Sequence, residues 1–473
     1  MIKQRLIELF ENWAKEKVIS LYLLPASGSY RKYYRIKGLS KNCLGVYNQD
    51  QKENQAFITF SHHFLKHSLC VPEIFAQNQE DCIYLIQDFG DETLFERLQI
   101  LKAQNANNED IIQLYKKVID ELPKFQILAA QDIDFNKAYP RQQFDKQSML
   151  WDLNYFKYYF LKLAQIPFDE QDLEEDFHMF SDFLLETETN YFLYRDFQSR
   201  NIMIYKDQPY FIDYQGGRKG ALQYDIASLL YDAKADLSYE CREILLDYYL
   251  EKLSTYVKID KDKFLAYYYG YVIIRILQAM GAYGFRGFYE NKSIFLQSIP
   301  FALKNLKWIL NNINLPLKIP TLLNTLSKLS EAEKIKAIIN TQNLIIKINS
   351  FSYKKQIPID NSGNGGGFVF DCRALPNPGR LEVYKTLTGK DQEVIEFLEK
   401  KPIVNQFIEH IFNVISISVD NYLERGFNSL TINFGCTGGQ HRSVYSAEKI
   451  AARIKEKYSL NCVIHHFEQE INL

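Results

Sequence analysis

The stretch NYFLYRDFQSRNIMIY, residues 190–205, constrains the fold more than any other part of the chain. It reads as one buried strand running into another, yet Arg195, Asp196, Arg200 and Asn201 interrupt it. Three of these are charged, and an unpaired charge in an apolar interior is expensive. A second apolar run, PYFIDYQ, carries Asp213. Carboxylates and an amide beside buried strands need partners or ligands. Hard oxygen donors suit a divalent cation, which would offset the desolvation of the acidic groups. The plain alternative is a buried Asp capping a turn, with Asn201 as a turn residue.

The surrounding chain narrows the choice. At 473 residues it is too long for one core, and length alone suggests about two to four domains. With 47% hydrophobic and 24% charged residues it is globular, and a net charge of −2 gives no global basic field for nucleic acid or membrane. The 33 Tyr and 33 Phe read as core filler. Seven cysteines (43, 70, 82, 241, 372, 436 and 462) contain no C-x-x-C pair, so neither a zinc knuckle nor a disulfide framework is expected. MIKQRLIELFENWAKEKV has the spacing of an amphipathic helix and not of a signal peptide. The run YYYGYVIIRIL is broken by Arg275 and is too short to span a bilayer. A soluble, cytoplasmic protein without membrane contact is expected.

SLYLLP, YRKYYRIKG, NCLGVYN and CIYLIQDFG predict strands, and ENQAFITFSHHFLKHS a helix. Between the first two strands PASGSYRKY forms a small polar turn around Ser27, Gly28 and Ser29. Helical spacing dominates from about residue 92 to 190 and again from YDIASLLYDAK to about 340. NLPLKIP marks a boundary, which gives a first domain over 1–320, a helical connector over 321–341 and a separate α/β domain over 342–473. In the last, PIDNSGNGGGF is a glycine-rich loop, VFDCRALPNPGR and SLTINFGC are strands, and a helix begins near Arg442.

Protein-kinase-like phosphotransferases use D-x-x-x-x-N for a catalytic Asp and a metal-binding Asn, with a strand-end Asp downstream. Asp196, Asn201 and Asp213 follow that order behind a strand-rich lobe. Over residues 1–320 the chain resembles the aminoglycoside-phosphotransferase-like kinases, and among them the cell-wall amino-sugar anomeric kinases of AmgK type. SGSYRKYYRI, VPEIFAQ, LIQDFGDETLFERL, MLWDLNYFKYYFL, YRDFQSRNIMI, FIDYQ and YDIASLL carry the resemblance. It implies a bilobal α+β protein-kinase-like domain that moves the ATP γ-phosphoryl group to a sugar hydroxyl, in this subgroup the anomeric hydroxyl of N-acetylmuramate or N-acetylglucosamine. On matching positions it implies Asp196 as base, Asn201 and Asp213 as Mg2+ ligands, and Ser27, Gly28 and Ser29 over the ATP phosphates. Glu53 is the candidate for the family's helix Glu. The pattern is departed from at three points: Tyr194 and Gln198 stand where His is usual, and LGVYN offers no Lys for ATP. Asp152 and Tyr155 are candidate acceptor contacts or helix packing.

SLTINFGCTGGQHRSVYSAEKIAARIKEKY reads as strand, tight loop and amphipathic helix. Its glycines expose backbone N–H groups beside a helix N-terminus, a natural anion cradle, and Arg442 adds a bidentate cation. Cys436 and Arg442 also fit the C-x-x-x-x-x-R spacing of cysteine phosphatases, but no general-acid loop accompanies them. His441 is read as a ligand or hydrogen-bonding residue. Together with INSFSYKKQIPID, FDCRALPNPGR and LTGKDQEVIEFLE, this domain resembles the C-terminal domain of RapZ-type RNase adapters. The resemblance implies binding of glucosamine-6-phosphate and of small RNA. The pocket would comprise Cys436, Thr437, Gly438, Gly439, His441, Arg442 and Ser443, with Arg373. Residues 342–473 hold 15 Lys and Arg against 14 Asp and Glu, a poor balance for RNA. The family's P-loop motif is absent from the chain. The leading expectation is an ATP-dependent amino-sugar kinase in cell-wall recycling with a phosphosugar-sensing domain. The rivals are a pseudokinase-containing RNA or protein adaptor, and a kinase for another alcohol such as an aminoglycoside or choline.

Overall fold

A computed structural model of the chain describes residues 2–24, 31–104, 107–290, 292–340, 344–360, 367–425, 427–458, 460 and 462–469. The chain divides into two compact units, Met1–Ala332 and Glu333–Leu473. The division falls inside the stretch expected as a connector. The helix Pro320–Ser327 belongs to the first unit, where the Leu322 amide donates to Asp176 at 2.7 Å.

The first unit is bilobal. Its N-terminal lobe is an antiparallel sheet of β1 (Ser20–Leu23), β2 (Lys32–Lys37), β3 (Asn42–Tyr47), β4 (Ile74–Asn78) and β5 (Ile83–Ile86), in the order β1-β2-β3-β5-β4. The four expected strands form, and β4 is added beside them. The N-terminal helix Ile2–Ala14 lays Leu6, Phe10 and Ala14, four residues apart, against Ile36, Cys43, Ile83 and Leu85. The helix Gln51–Lys66 buries Ala56, Phe57, Phe60 and Phe64. Asp50 caps it by accepting from the Glu53 amide at 3.1 Å, which fixes where its first turn starts. The expected turn at Ser27, Gly28 and Ser29 lies outside the described residues.

The second lobe is helical around Lys261–Gly284, a 24-residue helix packed on Lys146–Phe156 and Gln223–Leu230. Two small antiparallel pairs sit beside these helices. β6 (Tyr191–Leu193) pairs with β9 (Arg218–Gly220), and β7 (Ile202–Tyr205) pairs with β8 (Gln208–Phe211). The stretch 190–205 is therefore two strands joined by a loop.

The second unit is α/β. β10 (Ile345–Ser352), β11 (Phe368–Asp371), β12 (Ser429–Cys436) and β13 (Cys462–His466) form a parallel sheet in the order β11-β12-β10-β13. β12 is buried along its whole length, as an interior parallel strand requires. VFDCRALPNPGR is not one strand: it leaves the sheet after Asp371 and continues in 3-10 turns at Cys372–Ala374 and Pro378–Arg380. Its two prolines lack the N–H that a sheet ladder needs. No helix among the described residues is long and apolar enough to cross a membrane.

Candidate functional site

The loop between β6 and β7 is built on buried charge. Arg195 leaves the strand in the left-handed region, at φ +86°. Its guanidinium makes a bidentate pair with Asp152, at 2.7 and 2.6 Å, and donates to the Tyr224 hydroxyl at 2.8 Å. Asp225, fully buried, accepts from the backbone amides of Tyr194 at 2.8 Å and Arg195 at 3.1 Å. Burial pushes the Asp225 carboxyl up to about 7, against the pull of those two amides. Tyr194, standing where the resemblance leads one to expect His, is also fully buried. Its hydroxyl donates to the Ile212 carbonyl at 2.6 Å, and so ties the loop to the segment carrying Asp213. Ser199 is held by Asp232 through its amide at 3.1 Å and through its hydroxyl.

This framework brings Asp196, Asn201 and Asp213 together. The Asn201 side-chain amide donates to the Asp196 carbonyl at 2.9 Å and to Asp213 Oδ2 at 3.3 Å. Both its donor hydrogens are thus used within the protein, and the amide oxygen is left as an acceptor. Asp213 sits at φ +69° and also accepts from Gln215 at 2.7 Å. Burial raises its carboxyl above the ordinary range, and Arg31 opposes that rise. Asp196 keeps 39% of its side chain exposed, and Arg275 NH2 lies 3.7 Å from its Oδ1. Arg275 is itself oriented by Ser228, to which its Nε donates at 2.9 Å.

Glu53 does not lack a partner. Arg31, just before β2, places NH2 3.0 Å from Glu53 Oε1 and NH1 3.6 Å from Asp213 Oδ1. The other Glu53 oxygen accepts from Asn48 at 2.7 Å. One buried guanidinium therefore bridges the helix carboxylate and the strand-end carboxylate. Sequence reasoning sought a cation on β3 and missed this one, although SGSYRKYYRI contains it. Asp152 is engaged by Arg195, and Tyr155 packs its ring against Tyr159 and Phe285.

In the second unit the loop after β12 lines a cavity of about 230 Å³ with Asn377, Lys385, Thr437, Gln440, His441 and Arg442. Gly438 and Cys436 also line it. Gly439 turns at φ +68°, and a Cβ there would lie 3.0 Å from the Ser352 amide nitrogen. Arg442 is buried, and its NH1 donates to the carbonyls of Arg373 at 2.8 Å and Leu375 at 3.1 Å. Its Nε, also buried, has no hydrogen-bond partner. An orphaned donor on a buried cation beside a polar cavity fits an anionic ligand. His441 Nε2 lies 2.8 Å from the Tyr384 carbonyl, which can only accept, so the proton sits on that nitrogen. Cys436 is buried with Sγ 3.2 Å from Ser443 Oγ. Arg373 lies elsewhere: its guanidinium pairs with Asp371, at 2.7 Å for NH2, and stacks on Tyr353. Its carbonyl accepts from Arg442, and Lys385 and Asn377, which the sequence reading passed over, line the cavity wall.

The geometry around Asp225 makes a prediction. In Asp225→Asn one carboxylate oxygen becomes an N–H donor facing a backbone N–H, so a buried donor loses its acceptor. The variant should lose about 1–3 kcal/mol of stability, read as a lower melting temperature of the N-terminal unit. The folded-state value near 7 lies above the ordinary 3.8, so the stabilisation from the protonated form is complete below 3.8 and lost as pH rises through 7. The gap between wild type and the variant should therefore be wider at pH 5 than at pH 8.

Residues 25–260 match the phosphotransferase enzyme family (APH), and residues 344–470 match the RapZ C-terminal domain. A nucleotide-binding protein of Pseudothermotoga lettingae is 36% identical over 127 residues, 27% of this chain and 44% of that protein. One from Thermotoga neapolitana is 41% identical over 112 residues, 24% of this chain and 38% of that protein. The chain thus spans less than half the length of these curated relatives. Among solved structures, choline kinase LicA from Streptococcus pneumoniae aligns at 14% identity over 64% of this chain and 99% of its own, with a TM-score of 0.42. The choline kinase of Cryptosporidium parvum aligns at 11% identity over 69% and 99%, with a TM-score of 0.47. The two family matches fall on the two structural units, and the chain joins an N-terminal domain of the phosphotransferase enzyme family to a RapZ C-terminal domain.

Proposed function

We propose that the N-terminal domain transfers the γ-phosphoryl group of ATP to an amino sugar, at the anomeric hydroxyl of N-acetylmuramate or N-acetylglucosamine, in cell-wall sugar recycling. The C-terminal domain senses a phosphosugar of the glucosamine-6-phosphate type. The observation that carries the kinase reading is the convergence of Asp196, Asn201 and Asp213 with the Arg31–Glu53 pair. Asp196 presents a partly exposed carboxylate that takes the acceptor's hydroxyl proton as the oxygen attacks. Arg275 and the Asn201 contact to its backbone hold it in place. Asn201 and Asp213, an all-oxygen donor set, fit Mg2+, which when bound neutralises charge on the phosphate oxygens. Arg31, paired with Glu53 and Asp213, takes the role of the absent lysine in this reading. The amino-sugar acceptor rests on the motif resemblance and on the joining of this domain to one with a polar, Arg-bearing cavity.

ATP consumption against a panel of N-acetylhexosamines, aminoglycosides and choline tests the acceptor; no turnover with any sugar would favour the adaptor reading. Asp196→Asn should lower kcat about 10²- to 10⁴-fold with little change in ATP affinity. Wild-type turnover in that variant would remove Asp196 as the base.

Arg31→Ala should lower kcat/KM for ATP about 10- to 100-fold, the worth of one charge-assisted contact. Arg31→Lys should recover only part of this, because an ammonium cannot span Glu53 and Asp213 with separate donors. An unchanged kcat/KM in Arg31→Ala would mean the guanidinium only braces Glu53.

Glucosamine-6-phosphate should raise the melting temperature of the C-terminal unit in the full chain. Lys385→Ala, at an exposed position, should weaken that effect without disturbing the fold. Cys436→Ser should preserve it, since a cradle needs no nucleophile. Trapping of a phosphate ester in Cys436→Ser would instead point to a phosphatase.

A further inference from the structure

We propose that His63, His67 and Asp132, with the carbonyl of Ala129, form a binding site for a divalent transition-metal ion of the zinc class. In SHHFLKHS two histidines lie four apart at the end of the helix Gln51–Lys66, so both imidazoles emerge on one face. Their ring centroids are 4.7 Å apart. Asp132 closes the 3-10 turn Ala129–Gln131 and directs one oxygen at both rings. Asp132 Oδ1 lies 2.7 Å from His67 Nε2 and 3.6 Å from His63 Nε2. The Ala129 carbonyl oxygen lies 2.7 Å from His63 Nε2. The three side-chain donor atoms all fall within 4.8 Å of one another.

The chemistry of the set selects the ion. Two imidazole nitrogens and one carboxylate oxygen suit zinc, cobalt or nickel, whereas magnesium and calcium prefer oxygen alone. Bonds of about 2.0–2.2 Å to a tetrahedral ion would set the donors about 3.3 Å apart. The two Asp132 distances of 2.7 and 3.6 Å bracket that spacing and no donor pair exceeds 4.8 Å, so side-chain rotations of an ångström or so, about one rotamer adjustment, would close the set. The rings lie at a helix C-terminus, whose dipole favours a cation. His63 is 13% exposed, His67 28% and Asp132 58%, which leaves a route for the ion and a position for water. A bound ion would join the helix that carries Glu53 in its first turn to the 3-10 turn on the other side. This site shares no residue with the Asp196, Asn201 and Asp213 group.

The test uses the full chain, stripped with a chelator and titrated with Co2+. Wild type should bind one ion with visible ligand-field absorption of a nitrogen and oxygen set, without a thiolate charge-transfer band, and Zn2+ should displace it. His63→Gln and His67→Gln should each weaken Co2+ binding at least about tenfold, since even loss of an outer partner costs a ligand set that much. Asp132→Asn changes an exposed group and should weaken binding likewise while leaving the fold intact, so it decides the matter if a histidine variant misfolds. Wild type that binds no Co2+, or binds it as tightly after Asp132→Asn, overturns the proposal, and the three side chains are then a hydrogen-bonded cluster only.

Discussion

Arg195 adopts a backbone conformation that costs a non-glycine residue about 1–3 kcal/mol, and its bidentate pair with Asp152 holds it there. The rest of the N-terminal site depends on that pair. With Arg195 turned inward, the amides of Tyr194 and Arg195 both face Asp225, and the chain reverses so that Asp196 emerges toward solvent. A pair buried this deeply adds little net stability, since desolvation cancels much of the attraction. Its value lies in specification: removing Asp152 would leave the Arg195 charge stranded between the rings of Phe144 and Tyr224. The opening stretch carries charge through its apolar middle because the charges shape the loop.

Part of this was legible in the sequence. The five-residue step from Asp196 to Asn201, the later Asp213, the strands of the first lobe and the Gly-Gly-Gln-His-Arg loop are local patterns, and local patterns survive in one dimension. What escaped was long-range. Arg31 meets Glu53 and Asp213 only because β2, a helix and β8 end at one place. Asp225 lay inside a quoted motif, YDIASLL, yet nothing local says that it faces two backbone amides thirty or so residues upstream. β4 and β13 were missed for a different reason. Both lie at sheet edges, β4 ends in Gln77 and Asn78 and β13 in His465 and His466, so neither shows the apolar run that marks an interior strand.

Arg373 shows the limit of assigning side chains from a matched motif. The matched motif makes Arg373 a pocket residue, but its side chain turns to Asp371 while its carbonyl serves Arg442. A backbone role of this kind leaves no trace in residue identity. Lys385, by contrast, lines the cavity from a segment of short 3-10 turns whose path could not be drawn from spacing alone.

The two units also answer one physical problem in the same way. Each holds a guanidinium in a place where an unpaired charge would be costly. In the first, Arg31 divides its guanidinium between Glu53 and Asp213; in the second, Arg442 gives NH1 to two main-chain carbonyls and leaves Nε without a protein partner. A guanidinium suits both positions because its donors point in fixed, separate directions, so one side chain can serve several acceptors at once. Lysine concentrates its charge at one point and would have to choose. The carboxylates around Arg31 follow from the same rule: a buried guanidinium needs acceptors, and Glu53 and Asp213 supply them.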